Sequence, residues 1–142
     1  MANPQVKNPS AQSIVDTCET HWSHWKSDCS GFVKAVSKEL NIYMSAGQAN
    51  AIVDWLTYSS SWINLGTDRG KAHSYAADGY FVIGGSKSTG HGHVAVIVAT
   101  GDLNRPNGYW GQFGGVGKKN TSITYSWGPS HTVNFFAFKV LN

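Results

Sequence analysis

Asp28-Cys29-Ser30-Gly31-Phe32-Val33-Lys34-Ala35-Val36-Ser37-Lys38-Glu39-Leu40 sets Phe32, Val33, Val36 and Leu40 on one face at i, i+1, i+4 and i+8. That is the spacing of an amphipathic helix. Asp28 is its expected N-cap and Lys38 falls near its other end, both in the sense that the helix dipole favours. Cys29 therefore stands in the first turn, where backbone N–H groups lack helical partners. Upstream, Ile14, Cys18, Trp22 and Trp25 recur at intervals of 4, 4 and 3, which predicts a first helix capped at Ser10 with Cys18 on its core-facing stripe. Downstream, Ala49, Ile52, Val53 and Leu56 predict a third helix from about Ala46 to Ser59, and Lys71 to Ala77 suits one further short helix. From Tyr80 onward the pattern changes. Tyr80 to Ile83, Val94 to Val98, Tyr109 to Phe113, Ile123 to Trp127 and Val133 to Val140 read as strands between Gly, Asn and Pro turns. Helices first and strands second give an α+β domain, with N-terminal helices packed on an antiparallel β-sheet.

The length of 142 residues suits one domain over 1–142, with residues 1–9 read as a flexible leader. Apolar residues make up 41% of the chain and charged residues 13%, against about 25% charged in an average soluble protein, which excludes disorder and coiled coil. The net charge of +3 is too weak and scattered for a nucleic-acid footprint. No apolar run approaches the roughly 18 residues of a membrane span, so no membrane insertion is expected. The start, Met1-Ala2-Asn3-Pro4-Gln5-Val6-Lys7, lacks the apolar centre of a secretory signal. A chain made in the cytoplasm and acting elsewhere then needs another export route. Two cysteines, Cys18 and Cys29, are too few for a disulfide scaffold.

The two thiols read differently. Cys18 is a small core residue. Cys29, at a helix start, is expected to have a lowered pKa and to act as a nucleophile, with the N–H groups of Cys29 and Ser30 as an oxyanion site. Such a thiol needs a base that returns the proton to the leaving group, and histidine titrates in the right range. His93 opens the strongest strand pattern after Gly90-His91-Gly92 and is the first choice; His91 is the second. His21, His24, His73 and His131 suit solvated roles. His91 and His93 at i and i+2 offer a rival, a metal site completed by Cys29 or Asp28, although no standard ligand spacing supports it. A rival of another class is a binding module without turnover, stacking sugars on Trp55, Trp62, Trp110 and Trp127.

Asp28-Cys29-Ser30-Gly31-Phe32-Val33 with Gly92-His93-Val94-Ala95-Val96 resembles the NlpC family of papain-like cell-wall amidases. With Gln48-Ala49-Asn50-Ala51-Ile52-Val53-Asp54 and Phe81-Val82-Ile83-Gly84-Gly85 added, the chain is similar to the type VI secretion amidase effectors. These blocks span about Cys29 to Val98 and continue weakly through Gly111 to Gly117. The resemblance implies a papain-like fold, Cys29 as nucleophile, His93 as general base and Asp28 beside the substrate as well as capping the helix. The third group, which orients the imidazole, departs from the better-known pattern. Gln112 is the expected residue, with Asn107, Asp102 or a backbone carbonyl near Trp110 as alternatives. The resemblance further implies hydrolysis of the D-glutamyl to meso-diaminopimelate bond of peptidoglycan stems, or alternatively of the diaminopimelate to D-alanine crosslink, with no cofactor. It also implies injection by a secretion machinery into the periplasm of a target cell, and a cognate periplasmic immunity protein. The loops Ser86 to Gly90 and Asp102 to Gly108 are expected to set specificity.

Overall fold

A computed structural model describes residues 2–141. The chain forms α1 (Pro9–Trp25), α2 (Cys29–Glu39), α3 (Ala49–Tyr58), β1 (Ile63–Gly66), α4 (Arg69–Ala77), β2 (Tyr80–Ser86), β3 (His93–Asp102), β4 (Arg105–Trp110), β5 (Lys118–Ser122), a 3-10 turn (Ile123–Tyr125) and β6 (Asn134–Lys139). The strands make one sheet of order β1-β6-β2-β3-β4-β5, and every pairing is antiparallel. The α+β expectation is met.

Both faces of the sheet are covered. Phe81, Ile83, Val94, Val96, Val98, Tyr109 and Phe136 pack with α1, α2 and α3 through Ile14, Cys18, Phe32, Val36, Ile52 and Leu56. On the opposite face Val82, Ala95, Ile97, Trp110, Phe135 and Ala137 meet Ala72 and Ala76 of α4, with Ile123 and Trp127. A strand buried on both sides has no polar face, which is why Val94 to Val98 is continuously apolar where a half-exposed strand would alternate. The short helix expected at Lys71 to Ala77 is α4, and it supplies the second helical layer on the opposite face.

Local differences from expectation have physical causes. Asn8, not Ser10, caps α1: its side chain accepts from the N–H groups of Ser10 and Ala11, and Pro9 fills the first helical position, where its missing N–H costs nothing. The leader, read as flexible, lies along α1, where Asn3 donates to Asp16 and Gln12 bonds the backbone of Val6 and Pro4. Ile123 to Trp127 was expected to be a strand. Ile123–Tyr125 is instead a 3-10 turn, in which Ser122 accepts from the Thr124 N–H and the Ser126 N–H reaches the Ile123 carbonyl. Buried positions four apart, Ile123 and Trp127, suit a helical turn as well as a strand. β1 and β5 escaped notice because they are short edge strands with mostly exposed or half-buried residues. No helix among the described residues is long and apolar enough to cross a membrane.

Candidate active site

Asp28 caps α2 by accepting from the Gly31 N–H at 3.0 Å and from the Ser30 hydroxyl at 3.1 Å. The Phe32 N–H makes the first helical bond, to the Asp28 carbonyl. The N–H groups of Cys29 and Ser30 are left beside the cysteine sulfur, joined there by the N–H of Val94 from β3. These three donors favour a thiolate. Burial opposes them and dominates, and the Asp28 carboxylate adds to it, so the Cys29 thiol is raised above its ordinary pKa. The expectation of a lowered pKa is thus corrected: the helix start is present, but Cys29 is 7% exposed and its thiol loses more from desolvation than the backbone donors return. Both cysteines are free, and Cys18 is fully buried with its thiol raised well above the usual value by desolvation.

His93 starts β3 opposite Ser86 of β2 and lines a cleft of about 240 Å³ together with Cys29, Ser88, His91, Gln112 and Trp127. Burial pushes its pKa down to about 4. The ring sits edge-on to Trp127, centroids 5.1 Å apart, and to Trp110 at 6.3 Å, and its buried Nε2 has no hydrogen-bond partner among the described residues. At neutral pH the pair is therefore a thiol and a neutral imidazole. A second lobe of about 480 Å³ opens on the other side of Cys29, bounded by Asp28, Ser30, Gln48, Asn50, Gly92 and Phe113. His91, stacked on Phe113 at 4.3 Å, borders both lobes.

Two loops are tied down to form these walls. Asn50 of α3 donates to the Ser88 carbonyl at 2.8 Å and accepts from the Ser88 N–H at 3.1 Å, and Asp54, one turn later, pairs with Lys87 at 2.7 Å. Across the cleft, the N–H groups of Gln112 and Gly117 both donate to the Lys26 carbonyl, and the Ser27 hydroxyl donates to the Gly115 carbonyl. A Cβ at position 117 would lie 1.8 Å from the Trp110 carbonyl oxygen, so only glycine closes this loop. Phe113 is thereby carried to the cleft beside Cys29.

Gln112 reaches the same cleft as His93 but is exposed, and no hydrogen bond joins its side chain to the imidazole among the described residues. Asn107 instead bonds Thr100 and Asn120, and Asp102 pairs with Arg105 at the far end of the β3–β4 hairpin. Among the described residues no group of three metal-ligating side chains is placed to hold an ion. Sequence reasoning gave Asn50 and Phe113 no role in this site, and it read Ser86 only as the start of a specificity loop and Trp127 only as a sugar-stacking candidate. A Ser before a glycine-rich loop and a Trp after a short turn carry no signal until the sheet brings them to His93.

No protein-family model matches the chain. It is 40% identical over 95 residues to a protein named peptidoglycan amidase Tse1, from Pseudomonas aeruginosa strain PAO1, an alignment covering 62% of this chain. The chain spans 60% of that protein's length. Across that span it is a relative of a peptidoglycan amidase, as the motif blocks around Cys29 and His93 implied.

Proposed function

We propose that the protein is an antibacterial peptidoglycan amidase, a cysteine hydrolase of the NlpC-type papain-like superfamily that cuts the D-glutamyl to meso-diaminopimelate amide of peptide stems. The observation that carries this reading is that Cys29, in the first turn of α2 and ringed by backbone N–H groups, shares one cleft with His93. The relative's name supports the substrate class. In the reaction the neutral His93 ring takes the Cys29 proton as the sulfur attacks the amide carbonyl. The N–H groups of Cys29 and Ser30 bind the resulting oxyanion, already oriented by the helix that Asp28 caps. The imidazolium then protonates the leaving amine, and the neutral ring activates a water molecule that hydrolyses the thioester. Asp28 and Gln112, on opposite lobes, are within the cleft to meet polar atoms of the stem. No cofactor enters these steps.

The reading extends to a type VI secretion effector, made in the bacterial cytoplasm, delivered by injection and acting in the periplasm of the target cell. A cognate periplasmic immunity protein would cover the cleft. The resemblance of the motif blocks supports this. Digestion of purified sacculi, with the released muropeptides identified by mass spectrometry, tests the reaction. The expected products are stems ending in D-glutamate and fragments with a free diaminopimelate α-amine. Intact tetrapeptide stems released from crosslinks would assign the other bond, and sacculi bound but unchanged would make the protein a wall-binding module.

A further inference from the structure

In a cysteine–histidine pair the imidazole needs something to fix its plane and the tautomer it offers to the thiol. Here no side chain among the described residues supplies a hydrogen bond to the buried Nε2. Two indoles pack against the ring, while the lobe it lines also holds Ser88, Ser126 and Gln112. Trp127 meets it at 66° and Trp110 at 87°, both edge-on. Trp127 is itself held: its Nε1–H donates to the Ser86 hydroxyl at 2.8 Å, with both residues buried. Ser86 is the residue paired directly with His93 across β2 and β3. The same short strand segment therefore carries the imidazole on one strand and, on the other, the anchor of the indole packed against it. The hydroxyl also gives the indole N–H the partner that a buried Trp requires.

We infer that Ser86 and Trp127 form a positioning pair for His93, in which the hydroxyl fixes the indole and the indole fixes the imidazole in place of a polar third group. This rests on the reading of His93 as the general base. The other titratable groups lining this lobe are Cys29 from α2, His91 from the β2–β3 loop and His131 from the segment before β6. No carboxylate among the described residues lines it, so the burial to which Trp127 contributes is what opposes a charged ring.

The test compares Ser86→Ala, Ser86→Thr and Trp127→Phe with the parent, using a soluble peptide-stem fragment for kcat and KM and NMR titration of the His93 ring in the free protein. Ser86→Ala and Trp127→Phe are expected to lower kcat about tenfold, the scale of one buried hydrogen bond, with KM within about twofold. Both are expected to raise the His93 titration midpoint, and Ser86→Thr to restore both readouts. An unmoved midpoint in Ser86→Ala, or a change in Ser86→Thr as large as in Ser86→Ala, would overturn the inference. Should the parent not cut the fragment, the amidase reading fails, and the titration still decides the positioning role.

Discussion

His93 is a histidine whose titration is set by burial. Desolvation in a site walled by two tryptophans holds its pKa down to about 4, against 6.5 for an ordinary histidine. Between these values the unfolded chain binds a proton at this position that the folded chain refuses. Stability therefore falls as the pH is lowered through that window, by up to roughly 3 kcal/mol, and is fully retained above it. Urea unfolding of the parent and of His93→Gln from pH 7 to pH 4 measures the difference. The parent is expected to lose more stability than the variant, and equal losses would contradict the assignment. On the proposed reading, the neutral ring stays available as a base down to mildly acid pH. Next to it, Gly92 has no room for a side chain: a Cβ there would lie 2.2 Å from the Asn50 amide oxygen and 2.6 Å from the Ser86 carbonyl. Gly92→Ala is expected to displace the start of β3, costing about 1–3 kcal/mol by overpacking and more than tenfold in activity. Thermal unfolding and sacculus digestion read the two effects separately.

At the scale of elements, the site is a helix start, a strand start and two loops, and the loops depend on ties from outside themselves. The segment 87–92 hangs from α3 through Asn50 and Asp54. The Asp54–Lys87 pair is exposed on both sides and contributes little, whereas Asn50 satisfies both backbone groups of Ser88. Asn50→Ala is thus expected to speed hydrogen exchange of residues 87–91 while leaving α3 protected, and to lower activity on sacculi without changing the fold. Exchange unchanged in that segment would show that the loop holds itself. The helix and strand carrying Cys29 and His93 were legible in the sequence because their apolar spacing is strong and their chemistry local. The contacts of Ser86, Trp127 and Asn50 were not, since each acts through a partner 38 residues or more away in the chain, or across a strand pairing that no local pattern encodes. Gln112 was chosen by its strand position, but β4 ends at Trp110 and the Lys26 carbonyl draws the Gln112 backbone into a loop.

Across the whole molecule, six antiparallel strands with helices on both faces explain why a chain so rich in aromatics and poor in charge folds as one unit. α1 is bound to the sheet through the Trp22 indole, which donates to the Trp110 carbonyl, and through the Tyr109 hydroxyl, which donates to Glu19, itself paired with Lys119. Those ties set the α1–α2 corner, and so Cys29, against the strand that carries Trp110 to His93. The class of fold was readable from element order alone, but the second helical layer was not, because α4 presents only Ala72 and Ala76 to the core. On the proposed reading, this frame brings one thiol and one imidazole to a peptidoglycan amide. Loss of turbidity of purified sacculi, followed for the parent and for Cys29→Ala at equal folded concentration, tests it most directly. The parent is expected to solubilise peptide stems, and the variant to bind with its fold intact while releasing none above background. Lysis by Cys29→Ala at the parental rate would contradict the account.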